Sequence, residues 1–164
     1  MNTLILFDLE ETLIESFSEP FFIMPNVHKI VDFIKTLEPN TFQFGLMSWA
    51  IWDWSASECK IFDDVKSALL HELDTSDDLI DTGKFNDEFT LSMDNWVSVF
   101  WKESRIRIDR EEIPHIFNKE DFLFKCRTAF TGINRVILID DTVEHGLTIK
   151  NKNGTIEFLN IKEM

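Results

Sequence analysis

The sequence predicts an α/β fold with a mostly parallel central sheet and helices on both faces. Three observations carry this. Residues 4–7 form an unbroken apolar run that stops at Asp8, and residues 136–139 form another that stops at Asp140 and Asp141. A third strand-like run, residues 41–47, stops at Ser48. Between these runs lie stretches of helical periodicity, 27–37 and 58–73. Apolar runs without alternation suit strands buried on both faces, and alternation of such strands with helices is the pattern of a parallel sheet. A buried strand that ends in a carboxylate delivers it to the carboxyl-end rim of the sheet, where open α/β sheets bind ligands.

The elements follow in order. Asp8, Glu10 and Thr12 are spaced two apart, so an extended chain points them to one side. Pro25 and Asn26 precede a helix whose apolar face is Val27, Ile30, Val31, Phe33, Ile34 and Leu37, with Asn26 as N-cap; Glu38-Pro39-Asn40 ends it. After the strand ending at Ser48, Trp49, Trp52 and Trp54 crowd the chain. Residues 58–73 form an acidic amphipathic helix with Ile61, Val65, Leu69 and Leu73 on one face. Residues 74–95 read mainly as loop. The acids Asp74, Asp77, Asp78 and Asp81 lack the central Gly and closing Glu of a calcium loop, so a solvated loop is the better reading.

Residues 94–102 suit a helix, and Arg105, Arg107 and Arg110 form the densest basic patch. That patch reads as local salt bridges or, alternatively, as a contact for a substrate anion. Residues 113–117 suit a short strand with Pro114 near its start. Asn118 begins a helix with Glu120 and Asp121 in its first turn and Phe122, Leu123, Cys126, Ala129 and Phe130 on its buried face. After the strand ending at Asp140, residues 143–150 suit a short helix. Asn153-Gly154 marks a turn into a last, edge strand over 155–161.

The 164 residues, 44% hydrophobic with 16 Phe, five Trp and no Tyr, fit one domain, 1–164, with a less regular insertion at about 74–117. A net charge of −14 makes extended duplex nucleic acid an unfavourable partner and repels anionic substrates unless a cation compensates. Cys59 and Cys126 lack metal-type spacing and read as reduced core thiols of a cytoplasmic protein. No apolar run approaches the roughly 18 residues that cross a bilayer, so a membrane is not expected as a partner. The tryptophans suggest a surface for a protein partner.

Asp8-Leu-Glu10-Glu-Thr12 resembles the first motif, Asp-x-Asp-x-Thr, of the haloacid dehalogenase (HAD) superfamily of phosphotransferases. Glu10 stands where the family usually has Asp, although some phosphoserine-phosphatase-like members carry Asp-Leu-Glu. Ser48 resembles the second motif. Asp140-Asp141 resembles the fourth in its Asp-Asp form, as in polynucleotide and polymerase-tail phosphatases. For the basic residue of the third motif, Lys119 lies at a helix start 21 residues before Asp140. Lys125 is its rival, because residues 119–125 also resemble a stretch of polynucleotide kinase-phosphatases in which the second lysine is functional.

The resemblance spans essentially the whole chain. It implies a three-layer Rossmann-like HAD fold with a small flap within residues 13–24 and no large cap domain. It further implies a Mg²⁺-dependent phosphomonoester phosphatase acting through an aspartyl-phosphate on Asp8. Glu10 would be the general acid and base. Asp8, Asp140, Asp141 and Glu10, the last through its carbonyl, would hold Mg²⁺. Thr12, Ser48 and Lys119 or Lys125 would serve the phosphoryl group. The substrate is a phosphorylated one of unspecified class: nucleotide, nucleic-acid end, phosphoprotein or small metabolite. A second expectation, from the strongly acidic, tryptophan-rich composition and the Glu10 departure, is a non-catalytic binding protein on the same scaffold, such as a nucleic-acid mimic.

Overall fold

The computed structural model describes residues 2–16, 25, 27–38, 41–49, 63–64, 67, 85–91, 93–126 and 130–164, with backbone alone for 85–91 and 151. The expectations for residues 17–24, Asn26, Trp52, Trp54, Cys59 and the acidic cluster Asp74 to Asp81 fall outside these residues. So does most of the acidic helix, of which 63, 64 and 67 are helical.

The protein is α/β. Six strands form one sheet in the order β3-β2-β1-β4-β6-β5. They are β1 (Thr3–Phe7), β2 (Phe42–Met47), β3 (Phe85–Leu91), β4 (Arg135–Asp140), β5 (Thr148–Asn151) and β6 (Gly154–Asn160). All neighbours pair in parallel except β5 with β6. The helices whose bounds lie among the described residues are α1 (Val27–Ile34), α2 (Met93–Ser104), α3 (Ile113–Ile116) and α4 (Lys119–Lys125).

The central strands have the composition that two-sided burial demands. Every residue of β1 is buried, and so are Val136 to Asp140 of β4. Alternation divides them between two apolar clusters. Ile5, Phe7, Phe44, Ile137 and Ile139 pack with Val27, Ile30, Val31 and Ile34 of α1. Leu4, Leu6, Val136 and Leu138 pack with Met93, Trp96 and Phe100 of α2 and with Phe122 and Leu123 of α4. Phe122 stacks on Phe100 at 5.3 Å between ring centres and meets Trp96 edge-on at 5.7 Å. These contacts seat α4 firmly on the sheet.

The strand order also locates a crevice. From β1 the chain moves outward through β2 to β3, then returns to the other side of β1 for β4 and β6. The order reverses between β1 and β4, the kind of switch point at which open α/β sheets bind ligands. Phe7 pairs with both Leu46 and Ile139, so Asp8, the first residue past β1, lies level with Met47 and Asp140, which end β2 and β4.

Four local expectations need correction. Residues 85–91, within the stretch read as loop and irregular insertion, form β3; as an edge strand it needs no continuous apolar run, and Asn86-Asp87-Glu88 hid it. Residues 113–116 are a helical turn, not a strand, because Pro114 suits the first helical turn, where its missing N–H costs nothing. Residues 143–150 are not a helix: Gly146 at φ +82 turns the chain, and Thr148 and Ile149 enter β5. The last strand is not the edge, because the turn at Asn153-Gly154 folds β5 back along β6 and makes β5 the edge. No helix among the described residues is long and apolar enough to cross a membrane.

Stability should follow burial rather than surface charge. Leu138 is fully buried between β1 and β6, and Leu138→Ala should cost about 2–5 kcal/mol in denaturant unfolding. Arg135 and Glu157 pair through two hydrogen bonds but are 29% and 26% exposed, so Arg135→Met should cost no more than about 1 kcal/mol.

Candidate phosphoryl and cation site

Asp8 leaves β1 and Asp140 ends β4, side by side in the sheet. The Asp8 backbone N–H donates to the Ile139 carbonyl at 3.0 Å, which locks the two strand ends together. Between the two carboxylates lies the Lys119 ammonium. It donates to Asp8 Oδ1 at 2.9 Å, to the Met47 carbonyl at 3.1 Å, and to Asp140 Oδ2 through a very short contact. Lys119 is 8% exposed and Asp140 fully buried. The Trp49 ring stands 5.9 Å from the Lys119 nitrogen.

Lys119 owes this position to local chain logic. Asn118 caps α4 by accepting from the Asp121 N–H at 2.8 Å, so Lys119 is the first helical residue. A cation there opposes the helix dipole by roughly 0.3–1 kcal/mol. Two buried carboxylates outweigh that. Burial acts against its charge, but Asp8 and Asp140 hold its pKa above the usual lysine value. Lys125 does not share the site. Six residues on, it is rotated by about 240° around the helix and is exposed.

The remaining donors orient the carboxylates. Thr12 Oγ1 donates to Asp8 Oδ2 at 3.2 Å. It reaches Asp8 because the chain stops being extended after β1: the Leu9 carbonyl accepts from the N–H groups of Thr12, Leu13 and Ile14 at 2.8–3.2 Å. This tight turn, with Glu11 in the left-handed region at φ +61 and Glu10 bridged to Ile14, replaces the expected extended row. It leaves Glu10 exposed and outside the carboxylate cluster. Thr142 carries no signal in the motifs above, yet it orients Asp140. Its N–H and hydroxyl both donate to Asp140 Oδ1, at 2.8 and 2.7 Å. An Asp followed two residues later by Thr is a familiar turn signal that could have revealed it. Ser48 is buried directly after Met47, at the end of β2.

Asp141 completes the group. Carboxylate oxygens of Asp8, Asp140 and Asp141 lie within 4.8 Å of one another. Asn160 shapes the loop that carries Asp141, donating to the Asp141 and Val143 carbonyls at 3.2 and 2.9 Å. Three carboxylates against one ammonium leave two negative charges when all are ionised. Burial raises the Asp8 pKa against the pull of Lys119. Asp140 is desolvated too, but Lys119 and Thr142 hold it below the usual carboxylate range. Burial, a hydrogen bond to Glu11 and the charges of Asp140 and Asp8 push Asp141 up to about 7.

These residues fit a small divalent cation. One carboxylate oxygen from each of the three lies within 4.8 Å of the others, near enough for a single ion to contact all three. Hard carboxylate oxygens are also the ligands such an ion prefers.

The Asp141 shift has a stability consequence in metal-free protein. Its folded pKa lies above the ordinary 3.8, so the folded state binds more protons than the unfolded chain between about pH 4 and 7. Stability from this group therefore falls as pH rises through that window. Asp141→Asn should raise the melting temperature in EDTA, with a gain that grows from pH 4 to about 7 and then levels off. A gain that is constant from pH 4 to 9 would contradict this assignment.

No protein-family model, curated protein or solved structure matches this chain.

Proposed function

We propose that the protein is a Mg²⁺-dependent phosphomonoester phosphatase of the HAD type, with a three-layer Rossmann-like fold and no large cap domain. One observation carries the reading: Asp8 and Asp140, from adjacent strands at the point where the strand order reverses, converge on one buried lysine with a third carboxylate beside them.

Hydrolysis of a phosphate monoester calls for charge neutralisation, an in-line nucleophile and a protonated leaving group. Asp8 suits the nucleophile. Lys119 and Thr12 each hold one of its carboxylate oxygens, which fixes its orientation. An Asp8 oxygen attacks phosphorus, the ester P–O bond breaks, and the departing oxygen takes a proton from Glu10. Glu10, now ionised, takes a proton from a water that attacks the aspartyl-phosphate. The bond between phosphorus and Asp8 then breaks, returning Asp8 and releasing phosphate. The exposure of Glu10 on a turn two residues past Asp8 is compatible with reaching a leaving group from the solvent side. Lys119 and Ser48 would bind phosphoryl oxygens. Asp8, Asp140 and Asp141 would hold Mg²⁺, which when bound neutralises phosphoryl charge.

A second reading is a non-catalytic acidic binding protein. Two observations favour it: the Lys119 ammonium lies directly between Asp8 and Asp140, and Glu10 stays outside the carboxylate cluster. Hydrolysis of p-nitrophenyl phosphate separates the two. The phosphatase reading expects turnover that EDTA abolishes and Mg²⁺ restores, and a loss on the order of a thousandfold or more in Asp8→Asn. No Mg²⁺-dependent turnover against a panel of nucleotides, phosphorylated ends, phosphopeptides and sugar phosphates would leave the binding protein as the better account.

A further inference from the structure

A second cavity lies on α2, and it shares no residue with the Asp8 cluster. After α2 the chain turns at Arg105, whose φ of +60 is left-handed, and folds back along the helix. Arg110 secures the returning segment by pairing with both carboxylate oxygens of Asp94 at 3.0 Å, near the start of the helix. Ile108 packs into the core beneath it. Between helix and segment is a cavity of about 650 Å³. Val97, Ser98, Trp101 and Lys102 form its helical wall; Arg107, Ile108, Asp109 and Glu112 form the other.

Arg107 in this wall, and Arg105 just outside it, are unusual for the molecule. The chain has 30 acidic and 16 basic residues, yet neither Arg105 nor Arg107 has a carboxylate partner among the described residues. Both guanidinium groups instead approach the Trp101 ring, Arg107 at 5.1 Å and Arg105 at 6.0 Å. Stacking on an indole holds a guanidinium in place without using its N–H donors, so its edge stays available for a bidentate anion. Asp109 and Glu112 set a second requirement. They would repel a bare anion, so the occupant must also bring N–H or O–H donors. Val97, Ile108 and the indole add an apolar wall suited to a planar ring. The volume falls within the range of small-molecule sites.

A phosphate, hydroxyl or amino donors and a planar ring occur together in a nucleotide. We propose that this cavity binds a nucleoside monophosphate, with the phosphate on Arg107 and Lys102, the donors toward Asp109 and Glu112, and the base along Trp101. The site stands independently of the phosphatase reading, because none of its residues takes part there.

The test is calorimetric titration of the unmutated full chain in EDTA, which prevents Mg²⁺-dependent turnover, with AMP, GMP, adenosine and inorganic phosphate as separate probes. AMP or GMP should bind one site at least about tenfold more tightly than adenosine or phosphate alone. Arg107→Gln and Trp101→Leu should each weaken that binding by about tenfold or more, while Arg107→Gln, at an exposed position, leaves the melting temperature unchanged. Phosphate binding as tightly as both nucleotides, no nucleotide binding at millimolar concentration, or nucleotide binding unaffected by Arg107→Gln would each overturn the proposal.

Discussion

The structure depends most on one buried ammonium. Lys119 is removed from water at the first residue of a helix, where the dipole opposes it, and is held there by Asp8, Asp140 and the Met47 carbonyl. Breaking a buried ion pair by removing one partner commonly costs several kcal/mol, because the other charge is stranded. Two carboxylates at neighbouring strand ends would repel each other without it. The contact therefore joins three parts of the chain: the end of β1, the end of β4 and the start of α4. It also leaves the group with surplus negative charge once Asp141 ionises, which is the condition under which a divalent cation is welcome.

Much of the remaining architecture serves that convergence. Parallel pairing of β1 with β2 and β4 brings the strand ends level. Trp96, Phe100 and Phe122 pin α4 to the sheet, so the Lys119 side chain enters from a fixed base. Trp49 packs edge-on to Phe122 and faces the Lys119 nitrogen, linking the aromatic layer to the charged group. On the other side Asn160, at the end of β6, holds the loop that presents Asp141. Thr12 and Thr142 then orient the individual carboxylates.

The parts of this design that were legible in the sequence share a physical cause. A strand buried on both faces must be apolar without interruption, so β1 and β4 announce themselves, and a carboxylate closing such a run has few places to go but the rim. The helix start at Asn118 and the acids in the first turn of α4 are equally plain. Edge strand β3 was not, because an edge tolerates Asn, Asp and Glu. Pro114 suits the start of an edge strand and the first turn of a helix equally well. Lys119 and Lys125 could not be separated by composition; helix rotation and depth decide between them. The Met47 carbonyl has no sequence signature at all. The turn after Asp8 replaces the expected extended row, because the left-handed backbone at Glu11 brings Thr12 back to Asp8 while Glu10 stays exposed.

The central claim is that the three carboxylates and Lys119 form one site for a divalent cation and a phosphoryl group. A crystal structure of the protein soaked with Mn²⁺, standing in for Mg²⁺, tests it most directly through anomalous scattering. The account predicts a single strong peak bound by Asp8, Asp140 and Asp141, with the Lys119 ammonium moved away from Asp140. A structure with no peak there at millimolar Mn²⁺, and with Lys119 still seated between Asp8 and Asp140, would contradict it.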